Sequence, residues 1–134
     1  MPAERVFLDS NIVLHLLSAD EDKARAAEAA TSVGAIISVQ VLNEVSNVML
    51  KKLKLSWGEV SDFLDLIKAI CTVVPLTLTI HERGCALTQR YGFSLFNAMI
   101  VSVALESRCV KLFSEDMHNG LIVEKTLRII HQFK

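Results

Sequence analysis

Val6-Phe7-Leu8-Asp9-Ser10-Asn11 is the stretch around which the rest of the chain is organised. Apolar residues run directly into an acid, a hydroxyl and an amide, and a helical pattern follows. A strand of a parallel sheet, buried on both faces, reads this way when it ends at a polar site. In open α/β sheets, ligands collect just past the carboxyl ends of the strands. Asp9 stands at such an end. What matters in the remaining sequence is which side chains the fold can bring to it.

Outward from this strand, short apolar runs alternate with helical patterns. Asn11 to Leu17 is a short apolar helix, capped by Ser10 or Asn11. Asp20-Glu21-Asp22 opens a second helix to about Ser32, with its acids where the helix dipole favours them. Gly34 stops it. Ala35-Ile36-Ile37 is a second buried strand, and Ser38 caps a helix over about Val39 to Leu53. Ser56, with Glu59 at the capping-box spacing, opens the next helix. Its apolar stripe is Val60, Phe63, Leu64, Ile67 and Ile70. Thr72 to Leu76 is a third strand, which Pro75 pushes toward a sheet edge because proline cannot donate to the ladder.

Thr79 to about Arg90 is helical and ends at Tyr91-Gly92. Ser94 caps a helix to Glu106 that is apolar all round except at Asn97 and Ser102, so it is central and buried. Val110 to Phe113 is the fourth strand and runs into Ser114-Glu115-Asp116. Asn119-Gly120 marks a turn, and Thr126 to Ile130 is a last edge strand. Strands alternating with helices predict a single α/β domain over residues 1–134. Its architecture is three-layer α/β/α, around a four- to five-stranded, mostly parallel sheet.

Composition sets the limits of function. The 134 residues suffice for one domain with a real core. The chain is 51% hydrophobic, which implies a dense core or an apolar face covered by a partner. A net charge of −1 creates no field toward nucleic acid, so RNA binding requires a local basic patch. Cys71, Cys85 and Cys109 are widely spaced and form no paired motif, so a reduced, cytoplasmic protein is expected. The longest apolar run, Leu95 to Leu105, is far short of the roughly 18 residues of a membrane span. The N-terminus carries no signal-peptide pattern. No membrane association is expected.

Four polar positions interrupt apolar surroundings. Asp9 ends strand one, Glu44 lies about one turn into the helix after strand two, Asn97 is in the first turn of the apolar helix, and Asp116 follows strand four. In a right-handed parallel sheet, strand ends and the starts of the following helices share one edge, so all four can converge. Carboxylates brought together repel and are costly to desolvate. A divalent cation relieves both problems, and oxygen-only ligands suit Mg²⁺ or Mn²⁺ rather than zinc. Such an ion commonly serves phosphoryl chemistry.

Each residue alone has an ordinary alternative. Asp9-Ser10-Asn11 can cap a helix. Glu44 can be a half-exposed helix acid beside Lys51 or Lys52. Asn97 can pair with Ser94 in a cap, and Glu115-Asp116 can form a turn. Their combination, in this order and at these places, is more specific than any one of them.

The combination resembles the PIN-domain family, specifically the VapC-like ribonuclease toxins of bacterial toxin–antitoxin pairs. The matching text is Phe7-Leu8-Asp9-Ser10-Asn11, then Ser38-Val39-Gln40-Val41-Leu42-Asn43-Glu44-Val45. It continues with Tyr91-Gly92-Phe93-Ser94-Leu95-Phe96-Asn97-Ala98-Met99-Ile100-Val101 and Leu112-Phe113-Ser114-Glu115-Asp116. The resemblance implies that Asp9, Glu44, Asn97 and Asp116 hold Mg²⁺ or Mn²⁺ for RNA hydrolysis. Ser10, Asn11 and Ser114 would be supporting polar groups.

It also implies a type II toxin–antitoxin toxin, cytoplasmic and homodimeric, that cleaves RNA and is held by a cognate antitoxin. The family normally has Asp where Asn97 stands. Asn keeps a carbonyl oxygen but no charge, so this chain is either an inactivated substitution form or a naturally impaired member. The alternative is a non-catalytic PIN-fold module that binds RNA or protein. Lys51, Lys52, Lys54, Arg83 and Arg90 are the candidate RNA-binding cations; the lysines read equally well as ordinary helix-end charges.

Overall fold

A computed structural model of the chain describes residues 4–32 and 34–131. The first strand, β1 (Val6–Leu8), is wholly buried and feeds α1 (Ser10–Leu14), which tightens into a 3-10 turn over His15–Leu17. Then follow α2 (Glu21–Ser32), β2 (Ile36–Ser38), α3 (Val39–Lys51), α4 (Trp57–Ile70) and β3 (Thr72–Val74). The chain continues through α5 (Leu78–Tyr91), α6 (Leu95–Glu106), β4 (Lys111–Phe113), β5 (Ile122–Val123) and β6 (Leu127–Ile130).

The strands form one sheet in the order β3-β2-β1-β4-β6-β5. Every pairing is parallel except β5 with β6. The expected α/β fold with a mostly parallel sheet is therefore correct, and Thr72–Val74 takes the edge that Pro75 implied.

The order matters more than the count. Strands two and three build outward on one side of β1, and β4 returns on the other, with Leu8 in register with Phe113. This reversal between β1 and β4 is a topological switch point, where diverging crossovers leave a crevice beyond the carboxyl ends of the strands. The backbone N–H of Asp9 donates to the Phe113 carbonyl at 3.0 Å. Asp9 therefore lies in that crevice.

The helices start where polar residues can satisfy their free N–H groups. Ser38, Ser56, Thr77 and Ser94 each accept from a backbone N–H two or three residues into the helix they open. Ser56 and Glu59 form the full reciprocal capping box. Gly92, at φ +76°, closes α5 in the left-handed conformation that glycine adopts without strain.

Helix α6 is the centre of the core: every residue from Ala98 to Leu105 is buried. Its one hydroxyl there, Ser102, donates to the Ile80 carbonyl of α5 at 2.8 Å. A Cβ on Gly84 of α5 would come within 2.6 Å of the Met99 side chain, so α5 and α6 approach closely.

Two sequence expectations are corrected. The residue that caps α1 is Asp9 itself, rather than Ser10 or Asn11, through the Ser10 N–H to Oδ1 at 2.7 Å. The sheet has six strands among the described residues, and Leu127–Ile130 is not an edge: it lies between β4 and β5. The extra edge strand, Ile122–Val123, forms a hairpin with it. The hairpin turns through Glu124 and Lys125, at φ +50° and +64°. Primed hairpin turns usually announce themselves with Asn or Gly. Neither residue stands there, so the hairpin had no sequence signal.

Candidate acidic site at the carboxyl edge of the sheet

Asp9 is 2% exposed. Burial pushes its carboxyl from 3.8 up to about 6, with Glu44 and Asp116 adding to the rise. The Ser114 hydroxyl and the Ser10 N–H oppose that shift by donating to the charged form. The Ser114 bond runs to Oδ2 at 2.7 Å, so each carboxylate oxygen of Asp9 has a neutral donor.

Ser10 links this acid to the next. Its hydroxyl lies 3.0 Å from Glu44 Oε2 and 3.4 Å from Asp9 Oδ1. Both carboxylates therefore contact one hydroxyl, although they come from elements far apart in sequence. Glu44 is half-buried, and Ser10, rather than Lys51 or Lys52, meets its Oε2. Its other oxygen, Oε1, accepts from Gln40 Nε2 at 2.9 Å. On the far side of Asp9, the Asp116 backbone N–H donates to Ser114 Oγ at 3.2 Å. One serine thus braces the loop that carries Asp116 and the buried acid at once.

The remaining candidates stand differently. The Asn11 amide, in the first turn of α1, has both Oδ1 and Nδ2 buried without a hydrogen-bond partner among the described residues. An orphaned buried amide normally has water or a ligand to satisfy it. Asn97 donates its backbone N–H to Ser94 Oγ at 3.2 Å, as a cap requires. Its half-buried side chain takes no part in the Asp9–Ser10–Glu44 network. Its turn nonetheless abuts α3, because Gln40 Nε2 also donates to the Phe96 carbonyl at 3.2 Å.

Among the described residues, no three of the acids, histidines and cysteines stand close enough to enclose a metal ion. At this edge the Asp9 and Glu44 carboxylates meet at the Ser10 hydroxyl.

Two features had not been singled out in the sequence. Gln40 sits one turn before Glu44, at the i, i+4 spacing of an amide–acid pair; that spacing was a usable signal. The His15–Glu115 pair joins the turn after α1 to the loop of Asp116. Nothing local announces a pair formed across 100 positions.

The proposed cations fare less well. Arg83 is engaged by Glu106 at 3.2 Å and Arg90 by Glu124 at 2.7 Å. Lys51, Lys52 and Lys54 are exposed at the far end of α3, where Lys51 is already about 10 Å of helix beyond Glu44. A groove of about 540 Å³ opens beside Glu44, with Gln40, Asn43, Asn47, Leu76 and Phe96 on its walls.

Fold and site together define a class: a doubly wound α/β domain with acids gathered at the switch point of its sheet. The PIN-domain family model matches residues 6–118, and the chain belongs to that family.

Its fold is shared with several solved structures. A toxin–antitoxin complex from Klebsiella pneumoniae superposes with a TM-score of 0.74 at 22% identity, covering 96% of this chain and 98% of that one. VapC20 of Mycobacterium tuberculosis, described as a toxin that cleaves the sarcin–ricin loop, gives 0.63 at 14% identity over 80% and 86%. VapBC2 from Rickettsia felis, bound to a DNA fragment from its promoter, gives 0.63 at 15% over 95% and 99%. A search of curated proteins finds no significant match.

Proposed function

We propose that the chain is a divalent-metal-dependent endoribonuclease of the VapC-like group, the toxin of a toxin–antitoxin pair, with its activity lowered by Asn97. The single observation that carries this reading is Asp9. It is a 2%-exposed carboxylate at the switch point of a PIN fold, in contact with a hydroxyl shared by a second carboxylate. A fold does not keep a desolvated acid beside another acid for stability, since each raises the cost of charging its neighbour. The arrangement makes chemical sense when positive charge is brought to it.

In kind, the candidate donors suit a hard cation: carboxylates of Asp9, Glu44 and Asp116, the Asn97 carbonyl, and no sulfur or imidazole. Such an ion, when bound, polarises a phosphodiester and lowers the pKa of a water. The protein's own groups do the rest. Ser114 and the Ser10 N–H hold Asp9 in its charged form, and the Ser10 hydroxyl and Gln40 fix both oxygens of Glu44. The Asn11 amide, buried and without a partner among the described residues, is placed to take a water.

Asn97 supplies one fewer charge than an aspartate would, so metal is held less tightly. We propose Mg²⁺ or Mn²⁺ as the ion, RNA as the substrate and a cytoplasmic homodimer as the working form. The antitoxin partner follows from the described relatives, of which one is a toxin–antitoxin complex and another the VapBC2 pair.

A second reading has its own support. A non-catalytic binding module on this fold accords with Asn97 lying outside the hydrogen-bonded acids and with the absence of a closed three-ligand group among the described residues. The discriminating experiment compares this chain with Asn97→Asp on total RNA, with Mn²⁺ and with EDTA. Cleavage that needs Mn²⁺ and rises in the Asp form supports the nuclease. No cleavage by either form supports the module.

A further inference from the structure

Gln40 is 8% exposed in the first turn of α3, and its side chain serves no cap. Its single amide nitrogen has two hydrogens, and two acceptors are in place for them. Glu44 Oε1 lies at 2.9 Å and the Phe96 carbonyl oxygen at 3.2 Å. The first acceptor is a functional side chain on the same helix. The second is backbone of a different helix, in the turn that carries Asn97 as its next residue. With Ser10 holding Oε2 at 3.0 Å, neither oxygen of Glu44 is left to choose its own direction.

We propose that Gln40 is a positioning residue: it fixes Glu44 and the Asn97 turn of α6 relative to each other, so that two parts of the site reach the sheet edge as one unit. The inference rests on the metal-site reading above, but its structural half does not depend on metal.

The chemistry at this position is restrictive. Glutamate is the same size but cannot donate, and it would place a third acid against Glu44. Methionine fills the same volume and donates nothing. Asparagine is one carbon shorter and does not span to both acceptors.

A free glutamate side chain samples several rotamers, and the loss of that freedom opposes ligand binding. Gln40 makes that ordering part of the fold. The amide also lies at the junction of two apolar grooves. One contains Asn43 and Asn47, and the other is lined by Leu76, Leu78, Ile80, Leu95 and Met99. Whatever displaces Phe96 pulls on Gln40 and, through it, on Glu44.

The test uses the whole chain, with Gln40→Met and Gln40→Glu, each alone and in an Asn97→Asp background. Amide hydrogen exchange reads the clamp directly. At Asn97 and Ala98, Gln40→Met should speed exchange about tenfold, the loss of one hydrogen bond, while amides of β4 stay unchanged. Unchanged exchange in α6 overturns the proposal, whether or not any metal binds.

Calorimetric titration with Mn²⁺ alone reads the consequence. Affinity should fall about tenfold in Gln40→Met and further in Gln40→Glu. In a Glu44→Ala background the same Gln40→Met change should cost clearly less, since only the Asn97 turn is left for Gln40 to hold. An equal loss in that background shows general destabilisation instead of positioning and also overturns the proposal. In the Asn97→Asp enzyme, kcat should fall while KM for RNA holds. If the parent chain binds no Mn²⁺ but exchange still responds, the clamp stands and the metal reading falls.

Discussion

Replacing Asp9 by asparagine should make the metal-free protein more stable while removing its function. Asp9 titrates at about 6 in the fold against 3.8 as a free side chain. Each pKa unit corresponds to 1.36 kcal/mol, so holding the charged form in the folded state costs roughly 3 kcal/mol at neutral pH. That figure is already net of the hydrogen bonds from Ser10 and Ser114.

Because the folded-state value is the higher one, the native chain binds this proton more tightly than the unfolded chain. Stability due to Asp9 is then fully present below about pH 4 and is lost as pH rises through about 6. The amide that replaces it in the variant has no proton to lose. The difference in unfolding free energy between Asp9→Asn and the parent should therefore be near zero at pH 4. It should climb across the window and level off at about 3 kcal/mol above pH 7. For a chain of this size, that is on the order of 10 °C in Tm.

The assay is urea unfolding of both proteins in EDTA at intervals from pH 4 to 8. Subtracting the two curves removes the titration of the other carboxylates. A difference curve that is flat across pH 4 to 7 would refute the claim that a desolvated charge is stored at Asp9. Repeating the series in Mn²⁺ should restore the parent by about 2.7 kcal/mol at a hundred times Kd and leave the variant unmoved. If Mn²⁺ stabilises both equally, the ion binds elsewhere.

Restoring the fourth acid with Asn97→Asp should raise Mn²⁺-dependent RNA cleavage by roughly a hundredfold or more, since each 1.36 kcal/mol of transition-state stabilisation is about tenfold. Gel assays at equal enzyme concentration, with EDTA controls, would read it, and equal activity of the two forms would reject it. Ser114→Ala removes a 2.7 Å donor from a buried acid. It should lower stability at pH 7 by about 1–3 kcal/mol and much less at pH 4, where Asp9 is neutral; equal losses at both pH values would argue against it. Gly84→Ala forces the tip of Met99 to move from a 2.6 Å approach. After the helix gain of alanine it should cost about 1 kcal/mol, measured by thermal melting. Leu76, Leu78, Leu95 and Phe96 are all at least 44% exposed around one groove. Sedimentation should show a dimer at tens of micromolar, and Leu78→Asp should give monomer; a monomeric parent counts against the dimer.

Much of this was legible in the sequence because the relevant signals are local. Asp9 announces itself by ending an apolar run, and Ser38, Ser56 and Ser94 by preceding helical patterns. Thr72–Val74 was placed at an edge by a proline that follows it. Ser102 looked anomalous in an apolar helix; its explanation, a bond to the Ile80 carbonyl, needed the packing of α5. For the candidate site, the meeting of Asp9 and Glu44 was legible as acids at a strand end and about one turn into a helix, because parallel topology sends both to one edge.

What escaped depended on pairing at a distance or on unmarked backbone. No local pattern ties His15 to Glu115, and the turn through Glu124 and Lys125 uses residues that seldom take positive φ. The sequence put Glu44 about one turn into its helix, but that its oxygens are shared between Ser10 and Gln40 is a property of the assembled layers.

The bond from Ser114 to Asp9 joins residues near opposite ends of the chain. During synthesis, the acid at position 9 leaves the ribosome long before the serine that orients it has been made. Its strand has no β4 to pair with until residues 111–113 follow. Fragments that stop short of that point lack the crevice, whatever helices they have formed. The acidic edge is thus assembled only after residues 111–114 have been made.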